Sequence, residues 1–321
     1  MKGKHMIKLS NGHEFEYMVA SGALGFDGQG WAWEWPLNAV GLLRPELFTT
    51  VLRTITLEPR LYPVSNLSWP RFWTWIPGFP TSCIQIMWRR NTVVNRVGLY
   101  NPGFKWFLKE IAPNIDYSRY PVVASVYGNK AELVEMTKHL INFRFQAIEV
   151  NDSCPNTGHP MEGVNSVIES VKAVKAHCRH HFGVIVKVSV AQDYLAIADG
   201  LRGIADAVSL NSVPFPLAFP KGRKNPLRRL IKKLGGGGEG GVSGRDAQTL
   251  NWLASRELVE QGALQVAVPS VMNYQDLQKV RRFNPHAICF GSIHILTPWR
   301  PTSIVKRETK ERQAQLEGIL C

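Results

Sequence analysis

Eight short runs rich in apolar and β-branched residues recur along the chain: YMVAS (17–21), VLRTIT (51–56), VVASVY (122–127), AIEVN (147–151), VIVKVSV (184–190), AVSLNS (207–212), LQVAV (264–268) and AICFG (287–291). Each has the length and composition of a strand. Between many of them apolar residues fall three and four apart, which predicts helices over 130–143, 163–178, 246–262 and 274–283. Near-continuous apolar strands alternating with helices read as a parallel sheet covered on its outer face, and eight such units over this length suit a closed (β/α)8 barrel. An open, doubly wound sheet is the alternative. Residues 1–321 are read as one domain.

Two segments break the alternation. Residues 57–104 are rich in proline and tryptophan (Trp69, Trp73, Trp75, Trp88), with too little periodicity for a helix; they are read as an insertion after the second strand. Residues 213–241 run from proline-rich through basic to glycine-rich. Lys221, Arg223, Lys224, Arg228, Arg229, Lys232 and Lys233 gather there without an acid among them. Both are expected to be loop excursions over the C-terminal face of the barrel, where such enzymes place their chemistry.

Composition narrows the class without naming a function. With 321 residues, 45% hydrophobic and 20% charged, the chain can bury a large core, so disorder and fibrous folds are excluded. No stretch is long and apolar enough for a membrane helix, and the first residues lack the apolar centre of a signal peptide, so a cytoplasmic protein without membrane attachment is expected. Five scattered cysteines contain no CxxC pair, which supports neither a disulfide framework nor a zinc site, and no metal is expected. A net charge of +13 favours anionic ligands without identifying one.

The strand ends are unusually polar. Ala20, Ser21 and Gly22 follow the first, Lys187 interrupts the fifth, Asn211 and Ser212 end the sixth, and Gly291 and Ser292 end the eighth. At the fourth stands Asn151-Asp152-Ser153-Cys154-Pro155-Asn156. A cysteine in a proline-terminated turn flanked by amides can offer a thiolate to a bound small molecule while the amides hold its carbonyls. A buried, inert cysteine is the alternative at that position.

NDSCPN and the segments around it resemble the dihydroorotate dehydrogenase family, in particular its soluble class with a cysteine base. The likeness covers nearly the whole chain: ASGALGFDGQG (20–30), TITLEPR (54–60), NRVGLYNPG (95–103), SVYGN (125–129), VKVSV (186–190), SLNS (209–212) and GGVSGRDA (240–247) keep the family order. The resemblance implies an FMN enzyme that oxidises dihydroorotate to orotate in pyrimidine synthesis. Cys154 would be the base and Lys187 the cation beside the flavin. It further implies substrate contacts from Arg53, Asn95, Gly98, Leu99, Asn151, Asn156, Asn211 and Ser212. Cofactor contacts would come from Ala20, Ser21, Gly22, Lys187, Gly240, Gly241, Gly291 and Ser292.

Three departures stand out. Arg53 occupies the place of a family lysine, Pro269-Ser270 replaces a glycine pair, and LYPVSNLSWPRFW replaces a short turn. Proline offers no N–H, so one phosphate donor of the family pattern is absent. A homodimer or an electron-transfer subunit is the partner implied by the resemblance, and a nucleic acid is not expected. A dihydrouridine synthase-like barrel acting on tRNA, or a barrel without catalysis that serves as a binding protein, are the competing readings.

Overall fold

The computed structural model describes residues 5–60, 83–153, 163–178, 180–234 and 239–319. Its centre is a closed barrel of eight parallel strands: β1 (Tyr17–Val19), β2 (Thr49–Val51, resuming at Ile55–Thr56), β3 (Val122–Tyr127), β4 (Ala147–Val150), β5 (Gly183–Val188), β6 (Ala207–Leu210), β7 (Gln265–Val268) and β8 (Ala287–Phe290). Each strand pairs with its successor and β8 closes onto β1, with Ile288 opposite Tyr17. The second strand begins two residues earlier than its apolar run suggests and is interrupted at Leu52 to Thr54. Helices cover the outside, among them Lys130–Leu140, Val164–Cys178, Gln248–Gln261 and Tyr274–Arg281.

Period-two alternation within the strands builds two separate apolar layers. Val150, Val184, Val186, Val208, Val266 and Ile288 point outward and join the core under the helices. Met18, Val51, Val123, Ala147, Ile185, Ala207, Ala267 and Ala287 point inward and form the lower barrel interior. Four of these are alanines, which leaves room at the centre. The hairpin Ile7–Lys8 with Glu14–Phe15 fills it, adding Ile7, Leu9 and Phe15 to the same cluster. Gly183 has no Cβ for this reason: one built there would lie 2.9 Å from the Leu9 side chain.

Climbing toward the C-terminal ends, the inward positions turn polar. Ser125, Glu149, Lys187 and Ser209 follow the apolar layer and are all buried. Above them sit the strand-end residues.

The two excursions are less loop-like than their composition suggests. Ile84–Met87, Thr92–Asn95, Gly241–Gly244 and Val213–Pro214 form an antiparallel four-stranded sheet, in which Gly241 lies opposite Asn95 and Val242 opposite Val94. Segments nearly 150 residues apart are thereby tied into one wall above the barrel mouth. Residues 61–82, with three of the four tryptophans of the insertion, fall outside the described residues.

Candidate active site

A cavity opens at the C-terminal mouth of the barrel, between the strand ends and the antiparallel sheet. Of the seventeen positions that the sequence assigns to the site, thirteen line this cavity: Ala20, Ser21, Gly22, Arg53, Asn95, Gly98, Leu99, Asn151, Lys187, Asn211, Ser212, Gly291 and Ser292. Gly240 and Gly241 are not among the lining residues. Gly241 begins a strand of the antiparallel sheet and Gly240 directly precedes it, where a Cβ on Gly240 would stand 3.0 Å from the Asn95 carbonyl oxygen, so the glycine serves close packing of two segments. It is Ser243 of that strand that reaches the cavity. Cys154 and Asn156 lie outside the described residues.

The polar floor is one connected network. Glu149 is fully buried and accepts from Ser125 Oγ at 3.0 Å, Ser209 Oγ at 3.1 Å and Lys187 Nζ at 3.1 Å. Ser125 also meets Thr54 Oγ1 at 2.8 Å, and Thr54 in turn accepts from Asn151 Nδ2 at 2.9 Å. Ser21 donates to the Leu52 carbonyl at 2.8 Å and meets Thr54 Oγ1 at 3.0 Å. These bonds hold the β2 interruption open and aim Asn151 across the mouth. Asn211 Nδ2 reaches Ser153 Oγ at 3.1 Å, joining the end of β6 to the NDSC turn.

Among the described residues that line the cavity, Arg53 and Lys187 are charged and no carboxylate is present. Both cations are buried. Arg53 Nη2 donates to the Tyr100 carbonyl at 2.8 Å, and its guanidinium lies 5.3 Å from the centre of the Phe26 ring. Burial pulls its pKa down to about 10, which leaves it charged at neutral pH. Two buried cations in its wall make the mouth attractive to an anion.

The three cysteines among the described residues can be set aside as reactive groups. Cys83, Cys178 and Cys289 are buried, and burial pushes each thiol up to about 12.

Sequence reasoning missed several lining residues. Trp31 and Trp33 stack in parallel with centroids 5.3 Å apart, and Trp31 Nε1 donates to the Gly22 carbonyl at 3.3 Å. Asn251 and Met272 were missed as well; with Ser270, already singled out in the sequence, they complete the far side. Glu149 also escaped notice, although an acid inside AIEVN is a signal: at an inward strand position it requires a partner.

The lining suits a flavin mononucleotide. Small residues, Ala20 to Gly22, line the cavity together with the buried Lys187 ammonium, and the hydroxyl-bearing Ser243, Ser270 and Ser292 line it too, a donor set that fits a ring and a phosphate. Asn251 Oδ1 faces this side buried and without a hydrogen-bond partner among the described residues.

Comparison with known proteins agrees. A family model described as dihydroorotate dehydrogenase matches residues 83–266. The chain is 31% identical over 220 residues to the "Dihydroorotate dehydrogenase B (NAD(+)), catalytic subunit" of Caldicellulosiruptor saccharolyticus, covering 64% of this chain and 68% of that protein. It is 30% identical over 219 residues to the protein of the same description from Bacteroides thetaiotaomicron, with the same coverage. The crystal structure of DHODH in complex with ferulenol from Eimeria tenella superposes with a TM-score of 0.64 over 98% of this chain and 85% of that one, at 16% identity, which is a likeness of fold.

Proposed function

Since the chain belongs to the dihydroorotate dehydrogenase family, we propose that it oxidises dihydroorotate to orotate, taking a proton from C5 and a hydride from C6. The observation that carries this reading is the meeting, in one cavity, of two buried cations with the amides of Asn95, Asn151 and Asn211. A cyclic ureide with a carboxylate presents alternating donors and acceptors plus one negative charge, and amide side chains with a guanidinium match both.

FMN is the proposed cofactor, and when bound it supplies the hydride acceptor. Every other part falls to this chain. Lys187 places a fixed cation beside the ring, where negative charge develops on reduction. Arg53 takes the substrate carboxylate, with Asn95 and the Gly98-Leu99 turn closing over it. Gly98 and Leu99 both carry positive φ, +65° and +59°, so this turn is tightly curled against the cavity. Asn151, Asn156, Asn211 and Ser212 hold the ring so that C5 faces Cys154. The Cys154 thiolate takes the C5 proton. Support for that assignment is its position directly after Ser153, whose hydroxyl accepts from the cavity-lining Asn211, and the burial of Cys83, Cys178 and Cys289.

The two curated relatives are named as catalytic subunits of NAD(+) enzymes. This favours an acceptor reached through a separate electron-transfer subunit, with the oxidised base product released from this chain. No helix among the described residues is long and apolar enough to cross a membrane.

The test is anaerobic addition of dihydroorotate to the flavin-loaded protein. Bleaching of the yellow colour with release of orotate is expected. A yellow protein that is not bleached refutes the substrate, and a protein that takes up no flavin refutes the enzyme.

A further inference from the structure

The loop after β7 reads Val268-Pro269-Ser270-Val271 and lines the cavity. Barrels of this kind commonly bind phosphate on the loops after the seventh and eighth strands, using backbone N–H groups. Pro269 has none to give. Ser270 nevertheless sits at φ +67°, a conformation glycine adopts freely and a side chain adopts only under strain. Strain held at a cavity wall points to a use for the side chain itself.

The surroundings of Ser270 show what that use is. Helix Gln248–Gln261 turns a row of polar side chains onto the loop: Gln248 Nε2 donates to the Ser270 carbonyl at 2.9 Å, and Trp252 Nε1 donates to the Pro269 carbonyl at 3.0 Å. Both carbonyls are thereby drawn away from the cavity, toward the helix. Between these two residues Asn251, 2% exposed, donates from Nδ2 to Ser270 Oγ at 3.1 Å, and its Oδ1 has no hydrogen-bond partner among the described residues. With the amide so oriented, Ser270 accepts from Asn251 and keeps its own O–H proton to give away. With the amide turned over, Ser270 donates to Oδ1 and the spare donor is an Asn251 N–H. In either arrangement the pair holds one hydrogen-bond donor in reserve at the cavity wall. Gly291 and Ser292 of the β8 loop and Ser243 of the antiparallel sheet line the same cavity, and among the described residues no acid does.

We propose that the Asn251–Ser270 side-chain pair binds the phosphate of the flavin, substituting for the backbone N–H that Pro269 cannot supply. The inference rests on the flavin reading above and adds the means by which this chain distinguishes a phosphorylated flavin from an unphosphorylated one.

Titration of the full chain with FMN and, separately, with riboflavin tests it, because only FMN carries the phosphate. Ser270→Gly removes the hydroxyl and relaxes the strained φ, so it does not threaten the fold. It is expected to weaken FMN about tenfold, the loss of one hydrogen bond to a charged group, and to leave riboflavin affinity unchanged. Adding Pro269→Gly restores the missing N–H and is expected to return FMN affinity to that of the unaltered chain. If Ser270→Gly changes neither affinity, or lowers both equally, the inference is overturned while the flavin reading survives. If the unaltered chain binds neither flavin, the flavin reading fails and this inference with it.

Discussion

Lys187 Nζ lies 3.1 Å from Glu149 Oε1 inside the barrel, with the glutamate fully buried and the lysine 5% exposed. The pair thus satisfies two descriptions at once, a salt-bridged core lysine and a cation at the cavity. The two roles separate by experiment. Lys187→Met leaves a buried carboxylate without its cation, and Glu149→Gln leaves the reverse; each is expected to cost about 3–5 kcal/mol of unfolding free energy. The double variant carries no stranded charge and is expected to recover most of the stability in urea unfolding. Flavin binding is expected to stay weak in both variants lacking the lysine. Recovery of flavin affinity in the double variant would assign Lys187 a structural role alone.

Cys154→Ala removes the proposed base and nothing that the proposal assigns to cofactor binding. Flavin occupancy is expected to be unchanged, while the rate of reduction by dihydroorotate falls by about two to four powers of ten. Stopped-flow absorbance of the loaded protein reads both. A rate equal to that of the unaltered chain would take Cys154 out of the mechanism.

Arg53 replaces a lysine of the family pattern, and its surroundings are shaped to a guanidinium. Arg53 Nη2 donates to the Tyr100 carbonyl and its guanidinium covers Phe26, contacts that suit a planar fork able to meet a substrate carboxylate side-on. A lysine ammonium has no such fork and prefers hydration. Arg53→Lys is therefore expected to raise KM for dihydroorotate about tenfold, with kcat little changed, as steady-state kinetics would show. An unchanged KM would place the carboxylate elsewhere.

Much of this was legible in the residues, and the boundary between what was and was not is physical. All eight barrel strands could be read because their outward faces are continuously apolar, as Val184, Val186 and Val188 illustrate. The polar strand ends were legible because Asn151 and Asn211 end their apolar runs and Lys187 interrupts another from within. The floor hairpin was not, since its strands are two residues each and leave no period to detect. The antiparallel sheet was hidden for a different reason: GGVSG reads as a turn by composition, and its pairing with Thr92–Asn95 is a long-range event that no local pattern records. Gly241, which the family resemblance assigned to the cofactor, pairs with Asn95 in that sheet, and Gly240 directly precedes the strand. Asn251 went unnoticed because a single polar residue on a helix face resembles a solvated one until the helix is packed.

His294 makes the acid stability of this barrel a measurable quantity. It follows the β8 loop, is 1% exposed, stands edge-on to Phe48 with ring centroids 6.1 Å apart, and neither ring nitrogen has a hydrogen-bond partner among the described residues. Burial lowers its pKa from 6.5 to about 3. In the folded protein the ring stays neutral until pH approaches 3, whereas in the unfolded chain it takes up a proton near 6.5. Between those values the unfolded state binds more protons, so stability rises with pH across that window and is lost as pH falls through it. The slope from one such group is at most about 1.4 kcal/mol per pH unit. Burial also lowers His13 and His286, which act in the same direction, and raises the Glu34 carboxyl to about 7, which acts in the opposite one. All three are shared by the unaltered chain and a His294→Leu variant, so their contributions cancel in the difference. Urea unfolding of both proteins from pH 7 to pH 4 is expected to show a flatter curve for the variant, the two diverging progressively below pH 6. The variant should also be the more stable at pH 7, because it no longer buries two unsatisfied ring nitrogens. Parallel curves would mean that His294 takes a proton in the folded state as readily as in the unfolded one.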